Sequence, residues 1–255
     1  MLDHDENEPT TTEHEEADAP LASFFDKGLI TEVLRPVKSG KEATVWCCRG
    51  GPAAGAALVA AKIYRPIERR DFRNASVYRE GQVILDKRLS RAVQGHTRAG
   101  RAFEFSAWIY AEWETLCRLY NAGADVPRPI ARADRALLMQ FIGDEDGPAP
   151  ALNRVSLSVA EAGAVLQSLL RNIELSLACE RIHADLSPFN ILYWEGRAVI
   201  IDFPQATDPR SNPNARTLLQ RDIANVCRYL SRAGVSADAG RLTDTLWRRF
   251  ERGDL

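Results

Sequence analysis

The sequence predicts an α+β fold in two lobes: a small first lobe with a twisted antiparallel sheet and one main helix, then a mostly helical second lobe. Three observations lead there. Strand-like stretches cluster at residues 30–36, 43–48 and 58–64, separated by turn-forming segments. Stretches with helical spacing of apolar residues follow at 105–120 and 159–179. Between these two, residues 143–150 carry Gly143, Gly147, Pro148 and Pro150 and read as the linker between lobes. A chain of 255 residues is long enough to bury a full-sized core.

Each element has its own signal. Residues 1–20 hold eight acids, no Lys or Arg and few apolar groups, which predicts a disordered acidic tail. The first lobe spans 21–143 and opens on a short amphipathic stretch through Phe24, Phe25, Leu29 and Ile30. The turn Lys38-Ser39-Gly40-Lys41 joins the first two strands, and residues 49–57, with Gly50, Gly51, Pro52 and Gly55, form a loop. In residues 58–64, Val59, Ala61 and Ile63 alternate with Ala60, Lys62 and Tyr64. Residues 65–101 carry ten basic side chains against four acidic ones and read as a basic, partly flexible insertion. The helix at 105–120 places Ile109, Leu116, Leu119 and Tyr120 near helical spacing and stops at Asn121-Ala122-Gly123. An apolar strand at 136–142 ends the lobe. The second lobe, 144–255, begins with the 159–179 helix, whose apolar side carries Ala162, Val165, Leu166, Leu169, Leu170 and Ile173. A loop at 182–190 leads into strands 191–194 and 198–201 around Glu195-Gly196-Arg197, a hairpin. Helices at 217–232 and 239–252 close the chain.

Composition narrows the class. The hydrophobic share of 45% and charged share of 27% are those of an ordinary globular protein. The net charge is −2, but outside the acidic tail 33 basic residues face 27 acidic ones. Five cysteines form no C-x-x-C pair, which suggests buried thiols in a reducing compartment, not a disulfide frame or zinc site. No basic stretch followed by an apolar one marks a leader, and no apolar run approaches the ~18 residues of a membrane span. The expectation is a cytoplasmic protein without a membrane partner.

The chemistry concentrates in His183-Ala184-Asp185-Leu186-Ser187-Pro188-Phe189-Asn190, with Asp202 twelve residues further on in Ile200-Ile201-Asp202-Phe203. Phosphoryl transfer needs a carboxylate at the nucleophile, for which Asp185 is placed. It also needs an amide oxygen and a second carboxylate to hold magnesium against the phosphates, for which Asn190 and Asp202 are placed. Asp and Asn five apart share one loop, and the hairpin returns Asp202 beside Asn190. Upstream, Lys62 stands on an otherwise apolar strand, suited to hold the nucleotide phosphates. Such a lysine needs a helix carboxylate, and Glu112 and Glu114 are both candidates, with Glu114 preferred. The phosphate-covering turn offers one glycine, in Ser39-Gly40-Lys41.

Together these motifs resemble the RIO kinase family, the branch without a winged-helix domain. The resemblance runs through Ser39-Gly40-Lys41-Glu42-Ala43-Thr44-Val45, Lys62-Ile63-Tyr64-Arg65, Ala111-Glu112-Trp113-Glu114, Tyr120-Asn121-Ala122-Gly123, Val126-Pro127-Arg128-Pro129, Phe141-Ile142-Gly143, His183-Ala184-Asp185-Leu186-Ser187 and Arg221-Asp222-Ile223, over roughly residues 30–235. It implies a protein-kinase-like two-lobed fold with a shortened C-terminal lobe. Only 19 residues separate Asp202 from Asp222, and no A-P-E motif lies between them. It implies that Asp185 is the catalytic aspartate, with Lys62 and Glu114 as its supporting pair. ATP would meet Ser39, Gly40, Lys41 and Lys62 at its phosphates. Met139 would precede the hinge, and the backbones of Gln140 and Ile142 would meet adenine. Asn190 and Asp202 would bind Mg2+ or Mn2+, while His183 and Asp222 would brace the catalytic loop. The implied activities are serine/threonine autophosphorylation, phosphorylation of a protein substrate, and ATP hydrolysis. The implied setting is small ribosomal subunit maturation, with residues 65–101 a candidate contact for a ribosomal particle or RNA. Phe203-Pro204-Gln205 replaces the D-F-G glycine, which argues against a flipping switch.

Two other readings share these residues. A small-molecule kinase of the aminoglycoside or choline type uses the same pattern, but carries a large helical lobe after its metal aspartate, where this chain has 53 residues. A nucleotide-switched ribosome assembly factor would keep the whole set.

Overall fold

Alternation carries the sheet. The computed structural model of the chain describes residues 11–66, 95 and 97–255. Strands β1 (Ile30–Ser39), β2 (Ala43–Gly50) and β3 (Leu58–Tyr64) form an antiparallel meander; β4 (Pro129–Arg132) and β5 (Ala136–Gln140) complete the order β1-β2-β3-β5-β4. Both edge strands carry proline, Pro36 in β1 and Pro129 opening β4, which an edge tolerates because one side of the strand has no partner to donate to. The two faces of β3 part as period two requires. Val59, Ala61 and Ile63 join Trp46, Cys48, Ala136 and Leu138 in one core. Ala60 joins Cys47 and Phe141 on the other face, with Val45 and Met139 packed against them.

The first core is covered by α1 (Thr11–Asp26), through Leu21 and Phe24, both wholly buried. This corrects the disordered tail expected through residue 20. Helix nucleation is costly and extension is cheap, so a turn anchored in the core supports helix ahead of it despite the acidic composition. Residues 1–10 lie outside the described residues. Beyond α1, Gly51 packs its backbone against the chain at Gly28 and Leu29: its N–H donates to Leu29 O at 2.9 Å, and a Cβ there would stand 2.2 Å from Gly28 O.

Most of the expected basic insertion, residues 67–94 and 96, lies outside the described residues. Its end belongs to α2 (Arg98–Asn121), which starts earlier than its apolar pattern suggested because Thr97 caps it, Oγ1 accepting from Gly100 N–H at 3.1 Å.

The chain divides into two compact units, and the division departs from the expected lobes. The first takes in α1, the five strands and the segment as far as Pro148; the second takes in α2 and Ala149–Leu255. Residues 143–148 are no loose linker. Gly143 bridges to Pro148, Asp144 Oδ1 accepts from the N–H groups of Asp146 and Gly147, and Arg35 donates to the carbonyls of Asp144 and Glu145. Helix α2 goes with the second unit because its polar side chains bond there. Trp108 Nε1 donates to Pro204 O at 3.0 Å, and Arg181 Nε donates to Thr115 Oγ1 at 3.2 Å.

In the second unit α3 (Val159–Ala178) opens with a capping box, Ser158 and Glu161 satisfying each other's backbone N–H. Strands β6 (Ile191–Trp194) and β7 (Arg197–Ile200) pair through Glu195-Gly196, both at positive φ, 48° and 77°, as a two-residue hairpin turn demands. Helices α4 (Ala215–Ser231) and α5 (Ala239–Arg252) follow; α4 buries Leu219, Ile223, Val226 and Leu230 along one stripe. Cys47, Cys48 and Cys227 are buried, and burial pushes the Cys48 thiol up to about 12, where it is inert. Among the described residues no helix is long and apolar enough to cross a membrane.

Candidate active site

The loop 182–190 is built almost wholly from hydrogen bonds to its backbone, and their centre is Asp185. Asp185 is exposed, while its neighbours Ala184 and Leu186 are buried. Helix α4 holds both neighbours by both of their peptide groups. Asp222 accepts from the N–H of Ala184 at 2.8 Å and of Leu186 at 2.9 Å. Arg221 donates to Ala184 O, and Asn225 donates to Leu186 O at 3.1 Å. Ala184 sits at φ 63°, a conformation that costs an L-residue roughly 1–2 kcal/mol, and this grip holds it there. Burial pushes the Asp222 carboxyl up to about 7, against the downward pull of the two N–H groups and Arg221.

His183 fixes the other side. Its Nε2 lies 3.1 Å from Ile201 O, and its Nδ1 accepts from Asp185 N–H at 3.3 Å. That pair of bonds requires the neutral imidazole with its proton on Nε2, and burial favours the same state by lowering the pKa. The ring packs on Phe203, centroids 5.0 Å apart, so the residue after Asp202 is tied to the residue that opens the loop.

Asn190 is buried. Its amide nitrogen donates to Asp185 O at 3.0 Å and lies 3.4 Å from Asp185 Oδ2, which turns the carbonyl oxygen into the acceptor end. Ile201 N–H donates to Asn190 O at 3.0 Å, continuing the pairing of Ile191 with Ile200. The hairpin therefore returns Asp202, at φ 72°, next to the strand that Asn190 opens. The donor set is an amide oxygen and a carboxylate. Both are hard oxygens, and so few of them suits Mg2+, which keeps waters and substrate phosphates as its other ligands. The residues fit that ion.

The first unit carries the other half of the expected set. Lys62 is buried in β3, paired across to Val45 in β2 and Leu137 in β5. Its Nζ lies 5.3 Å from the centre of the Tyr64 ring. By alternation it shares its face with Ala60, Val45 and Met139, an apolar surface beside the lysine. Reading Lys62 alone did not identify Ala60 and Val45, although position i−2 and the cross-strand partner are the places to look. Ser39 ends β1, Gly40 N–H donates to Ala43 O at 2.9 Å, and Lys41 lies in the turn between them. Met139 and Gln140 end β5; Ile142 follows buried Phe141.

A family model of the RIO domain matches residues 45–242. The chain belongs to the RIO family of serine/threonine-protein kinases. It is 35% identical over 229 residues to the RIO-type kinase Rio1 of Haloferax volcanii, covering 88% of this chain and 73% of that one. It is 30% identical over 191 residues to Rio1 of Thermoplasma acidophilum, covering 75% and 94%. Against human RIO1 the identity is 31%, and the chain spans only 36% of that protein's length. The fold is similar to that of the Rio2 kinase of Chaetomium thermophilum in its ADP/Mg2+-phosphoaspartate complex, with a TM-score of 0.63 at 20% identity over 89% of this chain and 65% of that one.

The two candidate carboxylates of α2 differ in their surroundings. Glu114, preferred as the partner of Lys62, is held by arginines of its own unit, Arg118 at 2.6 Å and Arg181 at 3.5 Å, and is about one-third exposed. Glu112 is instead 4% exposed, in line with Phe105, Ile109, Leu116 and Leu119 on the buried stripe of α2. A carboxylate amid an apolar stripe is kept only for a specific cation or hydrogen-bond partner. Tyr120, read as part of that stripe, is 38% exposed.

Proposed function

We propose that this RIO kinase transfers the γ-phosphoryl group of ATP, with Mg2+, to a serine or threonine hydroxyl of a protein, itself included, or to water. The observation that supports this most is the loop in which Asp185 stands exposed between two peptide groups clamped by Arg221, Asp222 and Asn225. A carboxylate so fixed can take the proton of an attacking hydroxyl without reorganising. Asn190 and Asp202 would hold the metal, and Lys62 with the Ser39-Gly40-Lys41 turn would hold the phosphates. Ala60, Val45 and Met139 offer an apolar surface for the base, with the backbones of Gln140 and Ile142 at its edge. Bound Mg2+ would supply charge neutralisation of the phosphate oxygens. Mn2+ suits the same oxygens. The family match speaks against the small-molecule kinases.

Of the two α2 carboxylates, the buried Glu112 is the one to which we assign the catalytic role. Glu112→Gln should lower turnover about a hundredfold, the scale of a misplaced catalytic group. Glu114→Gln should change it little, since partly exposed ion pairs contribute about 0–1 kcal/mol. Steady-state rates of the two variants, side by side, check this; equal small effects would remove Glu112 from the role.

Contact with a ribosomal particle or RNA through residues 65–101, and a cytoplasmic setting, belong to the same proposal. The test is incubation of the full chain with γ-labelled ATP, with and without purified small ribosomal subunits, following phosphoprotein and free phosphate. Label in either product, raised by subunits, is expected. No label in either product under any condition would overturn the reading.

A further inference from the structure

The turn between β1 and β2 has a single glycine, yet it is held closely, and the residue that holds it is Arg65. Arg65 follows β3 directly and reaches the turn twice. Its backbone N–H donates to Glu42 O at 2.9 Å, and its Nη2 donates to Ser39 Oγ at 2.8 Å. Ser39 Oγ lies 3.5 Å from Thr44 Oγ1, and Gly40 N–H closes the turn on Ala43 O. One residue thus grips the turn on its entering and leaving sides. The grip has a cost: Arg65 Nε is buried without a hydrogen-bond partner among the described residues. An arginine with a solvated alternative would not bury a donor unsatisfied unless its remaining contacts offset it.

We infer that Arg65 is a positioning residue, which holds the Ser39-Gly40-Lys41 turn through Ser39 in the form that receives the nucleotide phosphates. This rests on the reading of that turn as the phosphate-covering loop. A glycine-rich loop would have to be ordered by the nucleotide and would lose entropy on binding. A loop tethered beforehand loses less, so the tether appears as nucleotide affinity. Lys38 and Lys41 flank Ser39 and Gly40 in sequence, so the tether also keeps cationic side chains near the proposed phosphate position.

The test is calorimetric binding of ATP with Mg2+ to the full chain, beside steady-state rates at saturating ATP. Ser39→Ala and Arg65→Ala should each weaken ATP binding about three- to tenfold, the scale of one hydrogen bond to a charged group. The double variant should bind no worse than Arg65→Ala, because both changes cut one tether. Arg65→Lys keeps the charge without the planar fork and should be weakened like Arg65→Ala. The loss in Ser39→Ala should fall mainly on ATP binding rather than on the rate at saturating ATP, and because Ser39 is exposed its melting temperature should not move. Wild-type affinity in Ser39→Ala, additive losses in the double variant, or wild-type affinity in Arg65→Lys would each overturn the inference. A wild-type chain that binds no ATP would instead overturn the proposed function, and this inference with it.

Discussion

Asp202→Asn should lower magnesium-dependent ATP turnover about a thousandfold while the chain keeps its fold. Metal-held charge neutralisation is worth several kcal/mol in the transition state, and each 1.4 kcal/mol is about tenfold in rate. Asparagine is the informative replacement because Asp202 sits at φ 72°, a left-handed conformation that Asn tolerates and Ala does not. Asp202→Ala should give the same loss of turnover with an added stability cost of roughly 1–2 kcal/mol. Rates across a Mg2+ titration, with thermal melts of both variants, check the two parts separately. Wild-type turnover in Asp202→Asn would remove Asp202 from the metal site.

Asp222→Asn should disable the loop from behind. Asn offers one acceptor where the carboxylate offers two, so one of the N–H groups of Ala184 and Leu186 loses its partner and faces an amide N–H instead. An unsatisfied buried donor costs about 1–3 kcal/mol of stability. Release of Ala184 from φ 63° would move Asp185, and misplacement by about 1 Å can cost a hundredfold in rate. The pH dependence is a second signature. In the folded chain the Asp222 carboxyl is raised to about 7; in the unfolded chain it titrates at about 3.9. The folded state therefore holds a proton that the unfolded state has released. The contribution of this group is fully present below about pH 3.9 and is lost as pH rises to about 7. Denaturant unfolding across that range should show the fall in wild type and a flatter profile in Asp222→Asn; parallel profiles would contradict the assignment.

How far the sequence alone could go is clear from particular residues. Asp185, Asn190 and Asp202 are proposed from the residue types and spacing that phosphoryl transfer requires, and the hairpin between Asn190 and Asp202 reads directly from Glu195-Gly196. Strand β3 was legible by alternation, β1 and β2 by the turn between them, and β5 by its apolar run. Strand β4 was not, since four residues opening on a proline carry no periodic signal and form only by pairing with β5. The start of α1 was hidden by its acidity, because what sustains it is the burial of Leu21 and Phe24 further on. Glu112 and Glu114 were both visible, and what separates them is the spacing 105, 109, 112, 116, 119, which marks a buried face only once the packing of α2 is known. Asn225 and the bond between Arg65 and Ser39 join side chains to partners far along the chain, and no local pattern announces them.

The most direct measurement of the central claim is release of label from γ-labelled ATP by the wild-type chain and by Asp185→Asn, each with and without Mg2+. Asp185→Asn keeps the shape of the loop and removes only the base. The account predicts Mg2+-dependent appearance of label in protein or free phosphate with the wild type, and a loss of about a hundredfold or more in the variant, the scale of general base catalysis. Turnover independent of Mg2+, or an Asp185→Asn chain as fast as wild type, would contradict it.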